Sequence, residues 1–295
     1  AEQGGALYVQ YASNAKYDAS KQYVVRVDGG TVFPVLNVRG MTDETQRNEA
    51  ITAYVQQLEA YVSSLQASHE SEHAGSSFTS VSSHEYDEKT CILNTTDIVM
   101  DHMMFSVPAS QILKGLSGDS TQKAQQLASS INAMEQAMEL FYQHKGLTTL
   151  SGAGDKNDTP WQQLNIRYQR MFAGAFMYAA GNHIGIEWGS VPGLAAGQPV
   201  VLDEAGKYVS GDLFGWGIAH EIGHEINQSA YAVAEVTNNY FAQLATYANG
   251  AARFGYDAVY DKVTSGTTGP SSDVFTQLAL YWQLHLAYDK DYEYV

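Results

Sequence analysis

Residues 215–228 read Gly-Trp-Gly-Ile-Ala-His-Glu-Ile-Gly-His-Glu-Ile-Asn-Gln, and no other stretch constrains the architecture of this chain so tightly. Trp216, Ile218, Ala219, Ile222 and Ile226 can bury one face of a helix against a core. His220 and His224 are four residues apart, so they share a helix face and can turn imidazole nitrogens onto one ion. Glu221 projects beside them, placed to take a proton from the water that such an ion activates. Two imidazoles and a carboxylate suit zinc, with the fourth position open for water. The third ligand must come from elsewhere. Glu235, ten residues beyond His224, fits the arrangement in which a second helix brings a glutamate to the ion. Asn239 lies four residues further on, on the same helix face, where it can orient a ligating histidine by a hydrogen bond.

The spacing alone is a weak signal, because His69-Glu70-Ser71-Glu72-His73 matches it too, with Glu85 twelve residues on. That copy is flanked by Ser68, Gly75 and Ser76 and has no apolar face to hold ligands rigid, so residues 67–90 read as a solvated, polar loop. Charge excludes other classes. At a net charge of −16 there is no cationic footprint for nucleic acid or for a polyanionic membrane surface. One cysteine, Cys91, rules out a disulfide within the chain and a cysteine-based zinc site. No apolar run is long enough for a transmembrane helix. The chain opens on Ala1-Glu2-Gln3 without an initiator Met, as expected of a piece of a longer protein.

The first 40 residues hold strand-like runs at 7–11, 22–27 and 31–36, with a hairpin signal at Asp28-Gly29-Gly30. Periodicity predicts helices from about residue 42 to 65, 121–144, 161–178, 214–228, 231–249 and 272–288, a short strand at 183–186, and a Gly-rich loop over 189–211. Strands early and helices late point to an α+β fold. The expected layout is one catalytic domain over 1–295, with a β-rich N-terminal lobe (1–110) and a mainly helical lobe (111–295) carrying the zinc site.

The motif extends beyond the bare spacing. His220-Glu221-Ile222-Gly223-His224-Glu225-Ile226-Asn227-Gln228, followed by Glu235-Val236-Thr237-Asn238-Asn239, resembles the enhancin-like zinc metallopeptidases, gluzincins of the M-sixty type, whose form is His-Glu-x-Gly-His-x-x-Gln with a later Glu. Residues 33–36, 94–99, 105–108 and 178–186 look similar to further segments of that family. The resemblance implies a secreted or bacterial cell-surface endopeptidase that uses Zn2+ to cut O-glycosylated, mucin-type proteins and reads the sugar as part of its substrate. It also implies carbohydrate-binding modules elsewhere in the parent chain. Trp188 and Arg167 are candidate glycan contacts, an aromatic platform and a forked donor. Two alternatives stay open: a zinc endopeptidase indifferent to glycans, and a non-catalytic adhesin on a peptidase fold.

Overall fold

The computed structural model describes residues 6–9, 24–30, 32–72, 86–87, 92–147, 157–169, 171, 174–251, 260–261, 264–265 and 273–288. In chain order the elements are β1 (Val35–Asn37), α1 (Glu44–Glu72), β2 (Tyr86–Asp87), β3 (Ile92–Leu93), β4 (Thr96–Val99), β5 (Met103–Val107), α2 (Ala109–Lys114) and α3 (Ser120–His144). There follow β6 (Leu164–Tyr168), β7 (Met177–Ala180), β8 (His183–Ile186), a 3-10 helix (Trp188–Ala195), β9 (Gln198–Leu202), β10 (Tyr208–Asp212), α4 (Gly215–Ile226), α5 (Thr237–Ala248) and α6 (Val274–Tyr288).

Six strands form one sheet in the order β1-β4-β5-β6-β8-β7, so β7 stands at an edge. Cross-strand register lines up Leu36, Ile98, Phe105, Ile166, Ile184 and Ala179 in one row. All but Ala179 are at most 2% exposed, so this face is core. Tyr54 of α1 reaches the same face, its hydroxyl 2.7 Å from Thr96 Oγ1, and the apolar sides of α1 and α3 complete the buried cluster. Each large side chain buried there contributes about 1.5–3 kcal/mol relative to exposure. The next row, Asp97, Ser106, Arg167, Gly185 and Tyr178, lies on the opposite face and is polar. The edge hairpin β7–β8 turns through Gly181-Asn182, where Gly181 takes the positive φ (71°) that such a tight connection demands.

The α+β class holds, but the division at residue 110 does not describe the sheet. Strands β1, β4 and β5 share one sheet with β6, β8 and β7 from beyond that boundary, joined through the β5–β6 pair, and the 29-residue α1 lies before it. The helix expected over 161–178 is replaced by β6 and the start of β7. Ile166 and Tyr168 are buried while Arg167 between them is exposed, a period of two that wins because the strand completes a core row. Among the described residues of the early strand-like runs, only 35–37 is a strand; Val24, Val25 and Val27 are exposed without strand pairing, and residues 10–23 and 31 lie outside the described residues. Where a polar loop is expected from residue 67, α1 continues to Glu72 with no Gly or Pro to stop it, and residues 73–85 and 88–91 lie outside the described residues. His73, His84, Glu85 and Cys91 lie outside the described residues. The segment expected to be a loop over 189–211 carries the 3-10 helix and the antiparallel pair β9–β10.

Asp97 gives the sheet a pH-dependent weakness. Its residue is 3% exposed, and burial pushes the carboxyl above its ordinary 3.8, against the opposing hydrogen bonds of Ser106 and Tyr8. A raised folded-state pKa favours the protonated fold. The stabilisation is therefore complete below the unfolded value and is lost as pH rises through the folded one. Asp97→Asn is expected to flatten the stability curve in the window just above 3.8, measured as denaturant midpoints across pH. An unchanged curve would show that Asp97 does not carry this dependence.

Candidate metal centre

Helix α4 forms where the sequence predicts it. Ile218, Ala219, Ile222 and Ile226 are buried, and His220, Glu221, His224 and Glu225 occupy the half-buried remainder. Its start is set by Phe214 and Gly215, both at positive φ (66° and 68°). Helix α5 packs directly across it. A Cβ on Gly223 would sit 2.4 Å from the Asn238 carbonyl oxygen and 2.9 Å from Asn238 Cα, so only glycine permits this approach.

That contact brings the predicted ligands together. His220 Nε2 and His224 Nε2 are 3.2 Å apart. Glu235 Oε2 is 3.3 Å from His220 Nε2, and Oε1 is 3.3 Å from His224 Nε2. A tetrahedral ion with bonds of about 2.0–2.1 Å has ligand–ligand edges of about 3.3–3.4 Å, and each of these contacts falls near that separation, the two of Glu235 being made by its two different oxygens. A donor atom of Glu221 also lies within 4.8 Å of donor atoms of both histidines. Burial drives the His224 imidazole below its usual pKa despite the pull of Glu235, which keeps the ring neutral and its lone pair free, as a ligand must be.

Asn239 makes the contact expected of it, with Oδ1 2.6 Å from His220 Nδ1, but the helix expected over 231–249 begins only at Thr237, so Glu235 precedes it and does not share a helix face with Asn239. Its Nδ2 donates to the Glu235 carbonyl at 2.6 Å, which fixes the amide so that Oδ1 faces the ring. The Nδ1 proton therefore points at Asn239, and Nε2 is left as the ligand nitrogen. Glu235 itself adopts φ 60°, a left-handed conformation that costs a non-glycine residue on the order of 1–3 kcal/mol. Sequence reasoning did not single out Asn238, although it is fully buried, with Nδ2 3.0 Å from His224 Nε2. Its position one residue before Asn239 was the available signal.

The centre opens into a cleft of about 540 Å³ between α4 and the edge strand β7, lined by Met177–Ala180, Gly181, His220, Glu221, His224, Glu225 and Glu235. Glu221 accepts a hydrogen bond from the Ala179 backbone, which ties its carboxylate to β7. Burial raises its pKa first. The negative Glu235 raises it further, while His220 and the Ala179 N–H oppose the shift. Glu225 is also raised, by burial and then by Glu221.

The two proposed glycan contacts are not among the residues lining this cleft. Trp188 packs edge-on against Tyr168, ring centroids 5.6 Å apart, and its carbonyl accepts from Gln111 Nε2 at 2.8 Å. Arg167 is exposed on the polar sheet face, with Nη2 3.0 Å from His183 Nε2. The Tyr178 hydroxyl is 3.2 Å from the same nitrogen, so Arg167 stands two contacts from the cleft.

Two substitutions test this geometry. Asn239→Ala should weaken zinc binding by about 10–100-fold, measured by competition with a chromophoric chelator. Gly223→Ala should lower both zinc affinity and melting temperature by forcing α5 away from α4. Wild-type affinity in both would mean that the α4–α5 contact does not set the ligand positions.

No family model and no curated protein matches the chain. Solved structures do. The M60 catalytic domain of Clostridium perfringens ZmpC, in complex with the sialyl T antigen, matches with a TM-score of 0.58 at 17% identity, over 91% of this chain and 45% of that one. The ZmpB metallopeptidase from Clostridium perfringens matches with 0.58 at 19% identity, over 91% and 46%. A metallopeptidase in complex with Tn antigen matches with 0.52 at 16% identity, over 89% and 40%. The chain thus spans less than half the length of these neighbours, and at these identities the likeness is one of fold. The structural neighbours of this chain are M60-like metallopeptidase catalytic domains, and its α+β fold is similar to theirs.

Proposed function

We propose that the chain is the catalytic part of a zinc endopeptidase acting on O-glycosylated, mucin-type proteins. The observation that carries the chemistry is the coincidence, at one cleft, of three ligand groups at tetrahedral spacing and a carboxylate beside them. His220, His224 and Glu235 would hold Zn2+, which supplies Lewis-acid polarisation of the scissile carbonyl and acidifies water. Glu221 takes the proton of the attacking water and delivers it to the leaving amine, a role suited by a carboxyl whose pKa is already raised toward neutrality. The edge strand β7 offers backbone groups along the cleft for an extended substrate.

The glycan part of the reading rests on the resemblance of residues 215–239 and on the neighbours' own ligands, the sialyl T and Tn antigens. Arg167 is the better placed of the two suggested sugar contacts, since His183 and Tyr178 connect it to the cleft rim. Such substrates lie outside the cell, so the enzyme is read as secreted or displayed at a bacterial surface. A second reading, cleavage without regard to sugar, is favoured by the absence of Trp188 and Arg167 from the cleft lining.

Digestion of an O-glycosylated mucin fragment, intact and enzymatically stripped, separates the two. Cleavage confined to the intact form supports glycan dependence, and cleavage of the stripped form alone overturns it. Glu221→Gln should lower the rate by at least about 10²-fold while retaining zinc. Full activity in that variant would remove Glu221 from the mechanism.

A further inference from the structure

The proposed reaction uses Glu221 and Glu235 and leaves Glu225 without a task. Glu225 lines the same cleft, is half-buried, and forms no hydrogen bond or ion pair with any described residue. A half-buried carboxylate without a counter-charge is costly to keep, and its cost is recovered when a cation arrives. The described residues that line the cleft include neither Lys nor Arg. With a divalent ion held there, Glu221 and Glu235 offset its charge, and the charge of Glu225 remains over.

Position tells which part of a substrate meets it. Helix α4 and strand β7 run side by side in the same direction. Gly217 faces Phe176 and Met177, with a Cβ there 3.4 Å from Met177 Sδ, and Glu221 meets Ala179. Four helical residues rise about 6 Å and two strand residues about 6.6 Å, so the next step brings Glu225 level with Gly181. Gly181 does line the cleft beside Glu225. A peptide added antiparallel to β7, the commoner pairing, therefore carries its N-terminal portion past Glu225.

We propose that Glu225 is a specificity residue that receives a cationic group, ammonium or guanidinium, on the N-terminal side of the scissile bond. This rests on reading the cleft as a peptidase site. The cation can be a Lys or Arg side chain, or the free α-amine of the substrate.

The test uses matched glycopeptides bearing Lys or norleucine upstream of the cut, each with a free and an acetylated N-terminus. Rates are measured with the full chain. Dissociation constants are measured by calorimetry in a Glu221→Gln background, which gives a readout apart from turnover. Wild type should prefer the cationic peptide roughly twofold to fivefold, the scale of one partly screened charge pair. Glu225→Gln should bring that preference toward one, and Glu225→Lys should reverse it in favour of a Glu-bearing peptide. A preference that survives acetylation assigns the side chain; one abolished by acetylation assigns the α-amine. No preference in wild type, or the same preference in Glu225→Gln at an unchanged melting temperature, overturns the inference while leaving the peptidase reading intact. Failure of wild type to cut or bind any of the peptides would overturn both.

Discussion

The contact between Gly223 and the backbone of Asn238 is the constraint on which the centre depends. It lets α5 lie against α4 at a distance no side chain would allow, and three consequences follow from that distance. Glu235, just ahead of α5, reaches both histidines at 3.3 Å. Asn239, one turn later, reaches the far nitrogen of His220. Asn238 fills the space between, fully buried. The left-handed backbone of Glu235 belongs to the same arrangement. It is held by the hydrogen bond from Asn239 to its carbonyl and by burial of Val236 next to it, so local strain is opposed by packing on either side.

The centre was legible in the sequence because everything that builds it is local. Residues 220, 221, 224, 235 and 239 fall within twenty positions, and helical periodicity decides that His220 and His224 share a face, while Glu235 reaches them from the left-handed turn ahead of α5. Context separated this copy of the motif from the one at 69–73, since only the later copy has isoleucines at the spacing that buries a helix. The place of Glu225 is not a local property: one residue beyond His224 on α4, it lines the cleft because β7 lies along that side of the helix.

The sheet was far less legible, for a physical reason. Its neighbours in space come from residues 35–37, 96–107, 164–168 and 177–186, and three of its pairings are parallel, each bridged by a long connection. A strand of five residues such as Leu164–Tyr168 carries too short an alternation to outweigh a helical reading of its surroundings. Its identity is decided by Phe105 and Ile184 on either side of Ile166, information no window around residue 166 contains. The same holds for Arg167. Its type suggested a donor for a sugar, but its distance from the cleft is a property of the sheet.

The two kinds of information meet at the edge strand. Glu221 is a helical residue by local pattern, yet its setting in the cleft comes from Ala179, more than forty residues upstream, whose backbone it touches. That strand keeps its place through Gly185, where a Cβ would fall 2.2 Å from the Tyr178 ring, so the tyrosine can lie flat across the hairpin and meet His183. The glycine on β8 thus serves the edge strand as Gly223 serves α4, by removing a side chain where two elements must touch. A zinc-type motif on an isolated helix could bind an ion. Placing its glutamate against an edge strand requires the whole sheet, which no window of sequence around the motif contains.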